Sequence, residues 1–136
     1  MIKSLSQEEL ALRWHIIKPY IDRALEHGIG ETTSHDMFVG AMNGTYECWE
    51  AYNETGTLSF GMARVNHYPQ HKELQIVTAA GDGWDLYGPE ALKYAEDYAK
   101  VINCSHVSIW GRLGWAKKLK SYGYDHTYAV MTKEIK

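Results

Sequence analysis

Apolar residues recur along this chain at two different periods, and each change of period marks an element boundary. Leu10, Leu12, Trp14, Ile16 and Ile17, then Tyr20, Ile21, Ala24 and Leu25, give a helix with an apolar face. Ser6-Gln-Glu-Glu9 ahead of them is a capping box, in which the Ser hydroxyl accepts a first-turn N–H and the Glu reaches back. Pro19 lacks an N–H and clashes with the preceding turn, so the helix is expected to be interrupted or kinked there. Gly28 and Gly30 stop it. Thr33-Ser-His-Asp36 is a second N-cap, opening a short helix through Met37, Phe38 and Met42 that Asn43-Gly44 ends.

The period then shortens towards two. Thr45 to Tyr52 alternates roughly as a strand with one wet face does. Asn53-Glu-Thr-Gly56 is a turn. Leu58, Phe60, Met62 and Val65 belong to a second strand that runs to His67 before Pro69, and Leu74-Gln-Ile-Val-Thr78 is a third. Ala79-Ala-Gly-Asp-Gly83 reads as a loop. Pro89 stands where the first helical position is expected, with Ala91, Leu92, Tyr94, Ala95, Tyr98 and Ala99 behind it to Val101. Val107 to Trp110 is a fourth strand, Leu113 to Tyr122 a helix that Gly123 ends in a left-handed conformation, and Thr127 to Ile135 a final strand. The order is α-α-β-β-β-α-β-α-β: antiparallel hairpins, then a β-α-β crossover of right-handed sense. That is an α+β, three-layer arrangement in one domain over residues 1–136.

Composition narrows the classes. A 45% hydrophobic content with mixed charge argues for a folded domain, not a disordered one. The net charge of −3 gives no global field for nucleic acid or an anionic membrane. No apolar run suits a membrane helix, and the N-terminus turns acidic at once with no signal-peptide core. Cys48 and Cys104 have neither zinc nor redox spacing and are expected as free thiols in a reducing compartment. His67-x-x-x-His71 spans Pro69, so it is not one helical face for a metal. Ten Tyr and five Trp against two Phe favour half-exposed and interface uses alongside core packing.

The closing stretch, His106 to Tyr124 followed by Thr127 to Ile135, resembles the closing unit of the acetyltransferase superfamily known as GNAT. More closely, the chain resembles small GNAT-like proteins of tailed phages and prophages. The likeness rests on Pro19-Tyr-Ile-Asp-Arg-Ala-Leu25, Gly30-Glu-Thr-Thr33, Cys48-Trp49, Tyr68-Pro69 before Lys72-Glu-Leu74, and Gly111-Arg-Leu-Gly-Trp115. It implies a GNAT-like α/β/α sandwich around a central mixed, mostly antiparallel sheet. It also implies a product encoded among virion-assembly genes, resident in a virion or in the host cytoplasm.

GNAT enzymes hold the acetyl-CoA pyrophosphate on backbone N–H groups where a central strand meets a long helix. The matching loop here keeps Gly81 and Gly83, followed by Trp84, which are the cofactor-binding candidates. It lacks the family's leading Gln or Arg and places Asp82 and Asp85 beside the presumed phosphates, where like charges oppose binding. Gly88-Pro89 is read as delaying the helix start. The loop is therefore either a turn with helix-capping acids or a phosphate cradle. In the family's second signature, anchored on Gly123-Tyr124, Leu119 falls at the position of the catalytic Tyr, Trp115 at an Ala and Arg112 at an Asn. Tyr122 is the substitute acid candidate. Glu73 is the base candidate, with His67 and His106 behind it.

Arg112, Lys117, Lys118 and Lys120, with Trp115 beside them, form an interaction candidate that suits CoA phosphates, nucleic acid or an acidic neighbour subunit. Two functions follow. In the first, the chain is a virion or assembly component that contacts other phage structural proteins, or oligomerises, and uses no cofactor. In the second, it is an N-acetyltransferase that moves acetyl from acetyl-CoA to an amine. The altered loop and missing Tyr favour the first.

Overall fold

Hydrophobic alternation on five strands builds one sheet whose two faces are covered by different helices. The chain's computed structural model describes residues 1–28, 30–81, 83–111 and 114–136. The strands are β1 (Ile2–Ser4), β2 (Glu47–Asn53), β3 (Gly56–His67), β4 (Lys72–Gly81) and β5 (His106–Ile109). The helices are α1 (Gln7–Leu25), α2 (Ser34–Met42), α3 (Trp84–Val101) and α4 (Gly114–Lys120). The sheet order is β1-β2-β3-β4-β5, antiparallel up to β4, with β5 parallel to β4. This is the mixed, mostly antiparallel sheet of an α+β fold.

Neighbouring strand residues point to opposite faces and feed two cores. Cys48, Phe60 and Met62 pack with Leu10, Ile17 and Ile21 of α1 and Met37 and Ala41 of α2. Trp49, Ala63 and Leu74 pack with Ala95 and Ala99 of α3, with Tyr94 and Tyr98 edge-on to the Trp49 ring. Both early helices carry complete capping boxes, Ser6 with Glu9 and Thr33 with Asp36. Cys48 and Cys104 are free thiols, and burial pushes Cys48 up to about 12. Among the described residues no helix is long and apolar enough to cross a membrane.

Several boundaries depart from the sequence reading. Strand β1 was not expected; its register with Trp49 to Ala51 makes it an edge strand ahead of the capping box. Pro19 does not interrupt α1, which runs through it. Pro19 and His15, whose carbonyl loses its partner, are both exposed, so water can take the freed acceptor. Strand β4 is longer than Leu74 to Thr78 and absorbs Ala79, Ala80 and Gly81, read earlier as loop. Helix α3 starts at Trp84, so Pro89 lies inside it and delays nothing.

The largest departure is at the C-terminus. The strand expected over Thr127 to Ile135 does not form, and residues 125–136 are exposed without regular structure. Alternation supplied a strand-like pattern, but a strand needs a ladder partner, and the local sequence does not name one. Gly123 does take a positive φ of 88° and closes the turn after α4, with the Tyr124 N–H donating to the Leu119 carbonyl.

Candidate functional site

The centre of the molecule is organised by one extra residue in β4. Met62 faces Thr78 while Ala63 faces Ile76, so Val77 is a bulge. Bulges bend the strand that carries them. The last β4–β5 pair, Ile76 with Ile109, comes immediately before it. Beyond that point β4 continues to Gly81 on β3 alone, and β5 ends at Ile109. The β4 edge from Val77 to Gly81, past the last pair with β5, is the candidate slot. Its β4 wall presents backbone N–H and C=O groups with no strand partner among the described residues.

The head of the slot is the start of α3. Its N-cap is Gly83, in the left-handed conformation at φ 79°, and a glycine brings no side-chain acceptor to the first turn. In contrast with the capping boxes of α1 and α2, no side-chain cap is found at this helix end among the described residues, and such an end suits an anion. The Trp84 ring lies over Gly88, where a Cβ would stand 2.4 Å from it, and meets Trp115 of α4 edge-on at 5.0 Å. Lys118 Nζ is 5.0 Å from the Trp115 ring centre. The basic helix is thereby fastened beside the α3 N-terminus.

Behind the slot, on the α1 and α2 face of β4, Glu73 is 8% exposed and Gln75 is buried next to it. Asn66 Nδ2 on β3 donates to Glu73 Oε2 at 3.2 Å and to Gln75 Oε1 at 2.7 Å. Burial pushes the Glu73 carboxyl up, but the Ser108, Tyr68 and Asn66 donors and the nearby His71 outweigh it and hold the group below its ordinary value. The Ser108 hydroxyl is buried beside Glu73, with no hydrogen bond formed among the described residues. His106 sits opposite Glu73 in the β4–β5 register. Its ring is 4.2 Å from that of His71, and Ser105 Oγ lies 2.7 Å from its Nδ1. Tyr68 meets His71 edge-on at 5.3 Å. The set offers an anionic base, neutral donors around it and an aromatic rim. Among the described residues no three side chains are grouped to hold a metal ion.

Solved structures share the fold over the whole chain. A probable acetyltransferase aligns with a TM-score of 0.74 at 13% identity, covering 100% of this chain and 98% of its own. A GNAT family acetyltransferase of Staphylococcus aureus aligns at 0.64 and 12%, covering 99% and 98%. An aminoglycoside acetyltransferase from an uncultured soil metagenomic sample, solved with sisomicin, aligns at 0.70 and 12%, covering 100% and 96%. The fold is that of the GNAT acetyltransferases. No family model and no curated protein matches the chain by sequence.

Within the GNAT fold the candidates separate. Glu73 stands in the buried polar cluster behind the slot, whereas His67 is exposed at the end of β3. Tyr122 lies in the exposed turn after α4 and is not drawn into the cluster. Leu119, which the sequence resemblance sets against the catalytic Tyr, is buried. Tyr124 is tied to α3 through its hydroxyl to Glu96 at 2.9 Å, and burial followed by that bond raises its pKa.

Gly81, Gly83 and Trp84 all frame the slot head, but the glycines have local reasons too. A Cβ at Gly81 would stand 2.2 Å from the Leu58 carbonyl oxygen, and Gly83 needs its positive φ. Asp85 is exposed in the first turn of α3. Lys117, Lys118 and Lys120 are exposed, Trp115 is half-buried and Trp110 is 60% exposed. Asp82 and Arg112 lie outside the described residues. Sequence reading missed Asn66, Tyr68, Gln75 and Ser108. The available signal was polar residues at the inward positions of strands, which a buried network uses.

Proposed function

We propose that the chain transfers an acetyl group from acetyl-CoA to an amine, with the thioester in the β4–β5 slot and Glu73 as the base. The observation that carries this reading is the coincidence on one strand of bulge, slot and buried carboxylate. Glu73 precedes Val77, the start of the slot, by four residues, about 13 Å of extended chain. The fit to a CoA thioester rests on the unpaired β4 edge for the pantetheine amides, the uncapped α3 N-terminus for phosphate, and Lys118 nearby. Asp85 works against it from an exposed position, where solvent screens it.

In this reading Glu73 takes the proton from the attacking amine, directly or through the Tyr68 hydroxyl. Its depressed pKa makes it a modest base that is charged throughout the neutral range. No tyrosine replaces the buried Leu119. A thiolate with a pKa near 8.5 is a tolerable leaving group and takes its proton from water. The aromatic rim of Tyr68, His71 and His106 borders the entry for the acceptor.

The second reading is a component of a phage particle working through protein contacts, and it draws on the exposed Trp110 and the lysine face of α4. Calorimetric titration with acetyl-CoA, followed by thiol release against a panel of amines, separates the two. Transfer chemistry calls for a dissociation constant in the micromolar range, about −8 kcal/mol. Absence of binding, together with recovery of the chain in purified particles, would replace the enzyme reading by the structural one.

A further inference from the structure

Strand parity carries a polar patch past the end of the hydrophobic core. Phe60 and Met62 of β3 pack against α1 and α2, and Arg64 and Asn66 are the next two positions on that face. Across the β3–β4 register Arg64 faces Gln75 and Asn66 faces Glu73, and β5 adds Ser108 and His106 to the same two rows. Two of these six side chains carry a fixed charge, Arg64 and Glu73. They are diagonal neighbours, a spacing of about 7–8 Å that long side chains bridge. They nevertheless do not pair: among the described residues no carboxylate lies within ion-pair distance of Arg64. Its guanidinium instead lies 6.0 Å from the Tyr46 ring centre, and the residue is exposed. Both charges are felt at one hydroxyl: Glu73 raises the Tyr68 pKa first of all, and Arg64 acts to lower it.

We infer that this patch selects as acceptor an amine that also carries an oxyanion, a carboxylate or a phosphate, with the nitrogen at Glu73 and the oxyanion on Arg64. The inference rests on the transferase reading for the fate of the nitrogen. Glu73 is buried among neutral donors, and a buried carboxylate without a cation is incompletely compensated. An arriving ammonium supplies that cation. An oxyanion on the same molecule is repelled by Glu73 unless a cation receives it, and Arg64 is a cation one diagonal step away. The planar guanidinium fork takes a carboxylate or a phosphate in two parallel bonds. An acceptor with a second ammonium in place of the oxyanion meets repulsion at Arg64, so the same pair disfavours diamines. In the transfer the ammonium first releases one proton to water. The amine nitrogen then bonds to the thioester carbonyl carbon, its surplus proton passes to Glu73, and the carbon–sulfur bond breaks to release the thiolate.

The test uses the full chain, the variants Arg64→Gln and Arg64→Lys, and three matched acceptor pairs. These are β-alanine and 4-aminobutanoate, each against its own amide, and 2-aminoethyl phosphate against ethanolamine. Arg64 is exposed, so circular dichroism should be unchanged in both variants. In the parent, kcat/KM should favour the anionic member of a pair by about tenfold or more, the share of a charge-assisted bond. Arg64→Gln should bring that ratio close to one, chiefly through the KM of the anionic acceptor. Arg64→Lys keeps the charge without the fork and should retain part of the ratio. The pair with the largest ratio assigns the oxyanion as carboxylate or phosphate. Saturation-transfer NMR of the same compounds, with CoA and without it, reads the subsite without any chemistry. Equal transfer to both members of every pair overturns the inference and leaves the transferase reading standing, and so does a ratio that survives Arg64→Gln. Binding of the anionic members that Arg64→Gln abolishes, with no acetyl transfer to any amine, would sustain the subsite and remove the transferase reading alone. Anionic amines that neither bind nor react overturn the inference.

Discussion

Two buried carboxylates face α1 and α2 from the same side of the sheet, and they are built differently. Glu50 on β2 is 3% exposed and fully engaged. Arg13 holds it in a two-pronged bond at 2.8 Å on each oxygen, Thr57 donates to it, and Lys3 stands 3.8 Å away. Glu73 on β4 is 8% exposed and receives neutral donors only, Asn66 directly, with Tyr68 and Ser108 near. A guanidinium on both oxygens, with a hydroxyl and an ammonium beside them, stabilises the charged carboxylate and makes it a poor proton acceptor. Neutral donors keep the charge in place while leaving capacity for an incoming proton. The first arrangement fastens β2 to α1, and the second is what a reactive site requires.

The sharpest break of that comparison exchanges the two groups for amides. Glu73→Gln should lower kcat for transfer to an amine by a factor of about 10² to 10⁴, the usual share of a general base. Its melting temperature should move little, because an amide can still accept from Asn66. Glu50→Gln should keep kcat per folded molecule and lose stability instead. Equal kcat for Glu73→Gln and the parent would remove Glu73 from the chemistry.

The next effect is on folding. Truncating one member of a buried pair costs about 3–5 kcal/mol. The Arg13 side chain is 28% exposed and can regain water, so Glu50→Ala should cost somewhat less, about 2–3 kcal/mol in urea unfolding. The pH dependence has a definite sign. The bonds from Arg13 outweigh burial and hold the Glu50 carboxyl below its ordinary value. A depressed pKa gives stability that is present above the unfolded value, about 4.3, and lost as pH falls through the folded value. The gap in melting temperature between parent and Glu50→Gln should therefore narrow on acidification below about pH 4. A gap that widens there would contradict the assignment.

How far the sequence could be read follows the same division. Helices α1 and α2 were readable to their caps, because Ser6 with Glu9 and Thr33 with Asp36 are local signals. The turn at Gly56 and the stop at Gly123 were readable for the same reason, a positive φ. The Val77 bulge and the slot beside it were not, because a bulge exists only relative to a partner strand. Glu73 could be named as a carboxylate on a central strand, but its neighbours Asn66 and Ser108 come from other strands and carry no signature in sequence. The pair of Arg13 and Glu50 was missed outright, being 37 positions apart. Pro89 misled, since a proline inside the first turns of a helix looks like one at its start.

The third test asks how much of the slot is backbone architecture. A Cβ at Gly81 would stand 2.2 Å from the Leu58 carbonyl and 2.6 Å from Ser59 Cβ, so backbone must move. Gly81→Ala should cost about 1–2 kcal/mol by overpacking. It should also weaken acetyl-CoA binding several-fold by shifting the end of β4, while leaving the Glu50 pair intact. A variant that loses stability and keeps its affinity would show that the glycine serves the β3 contact alone.

The smallest effect on stability, and the one that decides between the two functional readings, concerns α4. Lys117 and Lys118 are exposed, and charges in that state contribute a few tenths of a kcal/mol at most. The double reversal Lys117→Glu with Lys118→Glu should leave unfolding within about 0.5 kcal/mol of the parent. Its consequences depend on what the helix faces. Lys118 stacks on Trp115, and Trp115 touches Trp84 at the first turn of α3. If that end of the slot holds phosphates, reversal should weaken acetyl-CoA binding several-fold, and the loss should shrink as salt is raised. Particle assembly would be indifferent. If the helix instead meets an acidic neighbour subunit, the same variant should fail to enter particles while acetyl-CoA titration stays at the parent's level. The forecasts are opposite for one protein preparation. A variant normal in both assays would make the lysines a solvated face, and the phosphate end of the slot would then rest on the α3 N-terminus and backbone N–H groups alone.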